Sequence, residues 1–175
     1  MKSSLLALAA LIVPVSLTTV ALASNPQHVD RLLNTSDCSG CDLAGVALYG
    51  VNMAGAILTG ANLNGAILQG SILNNATLAE ADLTAANLGL VKLQGANLQG
   101  AKLPKVSLYG ADLRGANLSG ADLTEANLEA ANLIGANLSG AKLQKANLLK
   151  AKIRGADLTG ADLTGARMPD GTRYR

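Results

Sequence analysis

The residues that could do chemistry are few and sit together near the N-terminus. Cys38 and Cys41 form a C-x-x-C pair, and His28 is the single histidine of the 175-residue chain. A thioredoxin-like redox role for such a pair needs a βαβ setting, which the surrounding sequence does not offer. A zinc site needs two further ligands, and none is nearby. One histidine at the edge of the chain assembles neither a Ser/His/Asp nor a Cys/His set. It reads as a surface residue on a capping turn. Carboxylates such as Asp112 and Asp157 fall at positions expected to face solvent, with no pocket to perturb them. No phosphate-binding glycine loop is present, because 17 of the 19 glycines fall on the five-residue spacing. The expectation is a non-enzymatic protein with no catalytic residue, cofactor or metal.

What positions these groups is a repeat of five. From Cys38 to Met168, 27 consecutive pentads run without insertion or deletion. Their central residue is Leu in 23 cases, and the others are Cys38, Met53, Ile153 and Met168. Two places earlier stands Ala in 20 cases, and one place earlier stands Asp or Asn in 16. Gly closes 17 pentads, as in Ala61-Asn62-Leu63-Asn64-Gly65. A period of five suits neither a helix nor a flat strand. A glycine per pentad would cost a helix about 1 kcal/mol each. Glycine accepts positive φ and Asx side chains bond nearby backbone, so each pentad is a short extended piece followed by a bend. Fixed-period self-similarity of this kind marks a solenoid.

This run resembles the pentapeptide-repeat family, over residues 36–170. The resemblance implies an all-β solenoid, a right-handed quadrilateral β-helix with four pentads to a coil and about seven coils. It also implies that the central Leu and the preceding Ala point inward while the other three positions face water. Alternating small and large side chains then interdigitate, and each buried Leu contributes roughly 1.5–3 kcal/mol.

Residues 1–23 read as a secretory signal peptide. Lys2 supplies the positive region, Leu5 to Leu17 the apolar region, and Ala21-Leu22-Ala23 the cleavage site, so that the mature chain begins at Ser24. Residues 24–35 are a candidate N-terminal helical cap, with Asn25 as N-cap, Pro26 at the first helical position, and Val29, Leu32 and Leu33 covering the open end. Cys38 and Cys41 both fall at inward positions of the first coil. They are either a pair of small buried hydrophobes or a disulfide that fastens that edge. The stretch Leu32-Leu33-Asn34-Thr35-Ser36-Asp37-Cys38-Ser39-Gly40-Cys41-Asp42-Leu43 resembles the N-terminal edge of exported cyanobacterial members of the family. That implies the periplasm or the thylakoid lumen.

Any function must live on the outward positions. Residues twenty apart stack, so one column reads Asp42, Asn62, Asp82, Lys102, Asp122, Lys142, Asp162, a charge ladder of mostly alternating sign. The adjacent face is less polar. Tyr49, Ile67, Leu90, Tyr109 and Leu149 lie on it and form the candidate contact face for a protein partner or for self-association. Two departures stand out. Asn75, Glu80, Ala85 and Leu90 replace the closing glycine, which predicts an altered bend there, and Pro104 removes one backbone donor. Residues 171–175 form the tail, in which Pro169-Asp170-Gly171 signals a turn and Tyr174 could serve as a lid.

Net charge is +2, or +1 once Lys2 is set aside with the leader. This balance argues against a nucleic-acid surface. It also argues against the family's DNA-mimicking regulators of topoisomerases, which are strongly acidic and carry Phe among their centres; this chain has no Phe. After signal cleavage no membrane contact is expected. The functional expectation is an exported structural or protein-interaction module.

Overall fold

The computed structural model describes residues 25–175. The signal peptide expected over residues 1–23 lies outside the described residues.

The chain opens with one helix, α1, Pro26–Thr35. Asn25 caps it by accepting the Gln27 amide through Oδ1 at 3.0 Å, and Pro26 sits where the missing N–H costs nothing. Ser36 ends it in the left-handed region, φ 58°, with its N–H on the Leu32 carbonyl. Leu32 is buried and Val29 packs partly against the core. Leu33 does not join them, because one further step round α1 turns it to solvent, 51% exposed.

From Asp37 onward the backbone is a β-helix. Parallel bridges join the residue before the centre of one pentad to its counterpart twenty later, as in Asp42↔Asn62 and Ile67↔Asn87, so four pentads complete a coil. The central residue donates forward and the Asx position donates back: Leu43 N–H to Asn62 O at 2.7 Å, Asn62 N–H to Cys41 O at 2.8 Å. The centre's carbonyl also accepts the amide three residues on, Val46 N–H to Leu43 O at 3.1 Å, which closes the corner. From Gly40 to Gly165 the residue before each closing amide has positive φ, as a type II turn requires.

The expected change of bend at Asn75, Glu80, Ala85 and Leu90 does not occur. All four adopt φ between 55° and 59°, and so do Lys105, Glu125, Ala130, Lys145 and Lys150. The corner is imposed by hydrogen bonds to both neighbouring coils. A side chain forced into the left-handed region at roughly 1–2 kcal/mol is cheaper than a broken ladder. Pro104 fits for a different reason. At five other coils of this column the amide in its place is held by an Asx side chain two residues back, whereas here that position is Lys102, which has no acceptor. The lost donor therefore leaves nothing unsatisfied, and the Pro104 carbonyl still accepts from Ala85 N–H.

The interior is filled by the central Leu and the preceding Ala, nearly all fully buried from Leu58 to Leu148. Ser71 takes an Ala position, is itself buried, and donates its hydroxyl to the Leu48 carbonyl at 2.6 Å. That bond offsets the cost of burying it.

Candidate functional site

Four flat faces result, numbered here by their centres: face 1 through Leu43 and Leu63, face 2 through Leu48 and Leu68, face 3 through Met53 and Leu73, face 4 through Leu58 and Leu78. Their surfaces are set by the Asx position. Its Oδ1 accepts the amide two residues on, as from Thr84 to Asp82 at 2.9 Å, Ser119 to Asn117 at 3.1 Å and Thr159 to Asp157 at 2.9 Å. These side chains also link coils, with Asn62 Nδ2 donating to Asp42 Oδ1 at 2.9 Å. The outward Asx positions are accordingly half-buried through much of the helix rather than fully solvated.

The charge ladder on face 1 is largely a set of turn acceptors. Lys142 reaches Asp122 at 4.0 Å, and no other rung of the column closes within that distance among the described residues. Burial opposes ionisation of Asp82 and Asp122. Hydrogen bonds from Thr84 and Thr124, with the charges of Lys102 and Lys142, still hold both below the ordinary carboxylate range. On face 3 Asp112 departs from the expectation of an unperturbed carboxylate. Arg114 grips it through Nε at 2.9 Å and Nη2 at 2.7 Å, and Gln94 Nε2 donates to it as well. The Arg114 bonds lead, burial opposes, and the Asp112 carboxyl is lowered to about 2. Asp157 is also lowered, by its bonds from Thr159. Both are accounted for by neighbours on the same strand or the adjacent coil.

On face 2 the candidate contact residues divide. Leu90 and Tyr109 meet on successive coils, with Leu90 N–H donating to Tyr109 O at 2.8 Å, and are 55% and 49% exposed. Leu90 also leans over Gly110, where an added Cβ would come within 2.9 Å of its Cδ2. Tyr49 is 60% exposed but stands apart, since Gln69 and the buried Gly89 lie between it and Tyr109 in the same column. Ile67 is half-buried and one coil from the Tyr49 strand, in the bridge Ala47↔Ile67. Leu149 is half-buried toward the C-terminal end, near Gly171. The five residues share a face, and two of them, Leu90 and Tyr109, are exposed and joined through their backbones on successive coils.

Cys38 and Cys41 lie inside the first coil, both buried, and are joined as a disulfide with their Cα atoms 5.1 Å apart. His28 is half-buried, and its Nδ1 accepts the Asp42 amide at 2.9 Å. It is thus more than a surface residue: it satisfies a backbone donor at the first rim, where no earlier coil exists to do so. Sequence spacing gave no sign of that bond, because His28 sits on α1, outside the repeat, fourteen positions before its partner. The tail also differs from expectation. Tyr174 closes the rim through its backbone, with its N–H on Ala166 O and its O accepting Gly165 N–H, while its side chain is half exposed.

No group of three or more His, Cys, Asp or Glu side chains suited to a metal ion occurs among the described residues. Nor is any helix among them long and apolar enough to cross a membrane.

Comparison with known proteins agrees with this architecture. The family model for pentapeptide repeats matches residues 36–75, 68–94, 92–129 and 131–168. No curated protein sequence matches the chain. Among solved structures, the chain is similar to HetL, a pentapeptide repeat protein involved in heterocyst differentiation regulation in the cyanobacterium Nostoc sp. strain PCC 7120. The identity is 26% over 86% of this chain and 99% of that one, with a TM-score of 0.35. It is similar to a pentapeptide repeat protein of the Arabidopsis thaliana thylakoid lumen at 36% identity, over 56% of this chain and 65% of that one, TM-score 0.43. It is also similar to Rfr23 of the cyanobacterium Cyanothece 51142 at 31% identity, over 78% and 92%, TM-score 0.29. The unbroken pentads, the twenty-residue bridges and the family match over most of its length establish that the chain belongs to the pentapeptide-repeat family, whose fold is the right-handed quadrilateral β-helix.

Proposed function

We propose that the chain is an exported, non-enzymatic protein-interaction module: a rigid β-helix of about seven coils that presents face 2 to a protein partner. The observation that carries the reading is the pair Leu90 and Tyr109. Ten non-glycine residues among those described hold positive φ, and Leu90 is the one with a large apolar side chain. Its conformation costs free energy, and more than half of its surface stays exposed. A strained, exposed apolar residue one coil from an exposed Tyr on the same face is what a contact surface looks like before it is covered. Export is supported by the leader-like residues 1–23 and by the disulfide, which persists in oxidising compartments. The thylakoid-lumen setting of one similar protein is in keeping with that compartment.

The test is affinity capture from the exported fraction with the wild type and with Leu90→Gly/Tyr109→Ala. A specific partner retained by the first and lost by the second, with no fall in melting temperature, supports the reading. Recovery of the same proteins by both variants refutes the assignment of face 2.

A further inference from the structure

The C-terminal end of the β-helix is built differently from the start, where α1 covers the rim. After Met168 the chain leaves the coil. Pro169-Asp170-Gly171 turns it, with Gly171 N–H on Met168 O at 2.9 Å, and residues 172–174 run back antiparallel along face 2. Three bonds hold this short strand: Met168 N–H to Thr172 O, Tyr174 N–H to Ala166 O, and Gly165 N–H to Tyr174 O. Faces 3 and 4 receive no such strand. One coil earlier the amides of Leu133, Gly135, Leu138 and Gly140 donate to Lys152, Arg154, Asp157 and Thr159. Their counterparts Ile153, Gly155, Leu158 and Gly160 have no backbone acceptor among the described residues. Ile153 and Leu158, beneath this edge, are half-buried where Leu133 and Leu138 are fully buried.

The charge around this edge has one prevailing sign. Lys150, Lys152, Arg154, Arg167, Arg173 and Arg175 are all exposed, and none is within 4.0 Å of a carboxylate among the described residues. The three carboxylates of the same stretch are turned to their own bends. Asp157 holds the Thr159 amide, and Asp162 and Asp170 hold both amide and hydroxyl of Thr164 and Thr172. Unpaired amides add partial positive charge to the cations beside them.

From this juxtaposition we propose that the C-terminal edge is a docking site for an acidic polypeptide segment in extended conformation, taken up as an added strand. The antiparallel strand 172–174 shows the geometry the edge accepts. Donors at Ile153 and Gly155, or at Leu158 and Gly160, bind the incoming backbone, and Lys152 and Arg154 select acidic side chains. A second copy is disfavoured, because end-to-end pairing would bring two sets of six cations together. The site lies at the end of the rod, away from Leu90 and Tyr109, so its failure leaves the face 2 reading untouched.

The probe is a fluorescein-labelled hexapeptide of alternating Glu and Thr, titrated into the intact protein at low salt. Binding is read by anisotropy and by amide hydrogen exchange. The expected result is saturable binding that slows exchange at Ile153 and Gly155 or at Leu158 and Gly160. Charge reversal by Lys152→Glu/Arg154→Glu, at exposed sites that leave folding intact, should weaken it by about tenfold. A hexapeptide of alternating Glu and Pro, with the same charge but held in polyproline II rather than as a strand, should lose most of the affinity. Equal binding of the Glu-Pro peptide would overturn the proposal. So would binding to phosphatidylglycerol vesicles with none to the Glu-Thr peptide, or a dimer in sedimentation that already protects those amides.

Discussion

The backbone amide of Asp42 donates to Nδ1 of His28, 2.9 Å away on a helix fourteen residues earlier. This bond fastens α1 across the first rim together with buried Leu32. His28→Ala leaves that amide without its partner and should lower stability by about 1 kcal/mol. Hydrogen exchange should accelerate at Asp42 and along α1 while the central coils are unchanged. Uniform acceleration through the whole helix would contradict a local cap.

The centre of the stack is far less tolerant. Leu118 is fully buried, so Leu118→Asp places a charge where no partner exists and should cost about 4 kcal/mol or more. Asn64 is exposed and contributes to the ladder through its backbone carbonyl, which accepts Gly45 N–H. Asn64→Ala should change stability by less than about 0.5 kcal/mol. Urea unfolding of both variants checks the pair, and similar midpoints would contradict the inward assignment.

Corner conformation can be tested apart from packing. Gly65 has φ of 63°, and an added Cβ would meet nothing within 4 Å. Gly65→Ala therefore isolates the left-handed penalty and should cost about 1 kcal/mol. Leu90→Gly runs the other way at φ 59° and should stabilise by a similar amount while removing the exposed side chain. A destabilised Leu90→Gly would mean that Leu90 earns its place by packing, against the contact-surface reading.

Acid should act through Asp112. Its folded carboxyl is lowered to about 2 from 3.8, led by the Arg114 bonds. A depressed carboxylate contributes stability above its unfolded value and loses it as pH falls through the folded one. The loss should therefore fall between about pH 4 and pH 2. Arg114 is half exposed, so solvent screening reduces the contribution to about 1 kcal/mol. Asp112→Asn should lower the melting temperature at pH 7 and flatten its fall over that acid window. An unchanged acid profile would remove Asp112 from the account.

Much of this fold was legible because one five-residue pattern fixes side-chain direction, and an apolar centre, Leu in 23 of 27 pentads, leaves no second register. The Asx preference likewise announced its turn role, realised in bonds such as Thr124 N–H to Asp122 Oδ1. Features that depend on contacts across the chain were not legible. The pattern said nothing of His28 reaching Asp42 or of the strand 172–174 returning along Ala166. It also misjudged Asn75 to Leu90, where local preference opposes positive φ and the neighbouring coils overrule it. The contact face was only partly legible: the column placed Tyr49 and Tyr109 together, but not the backbone bond that sets Leu90 beside Tyr109 on the next coil.

The most direct test of the central claim, an exported scaffold closed by an internal disulfide, is one intact-mass measurement. The full 175-residue chain is expressed in a Gram-negative host, fractionated, and weighed with and without thiol alkylation. The expected species is Ser24–Arg175 from the exported fraction, two hydrogens lighter than the dithiol and inert to alkylation until reduced. A cytoplasmic chain that keeps residues 1–23 and alkylates at both Cys38 and Cys41 would contradict it.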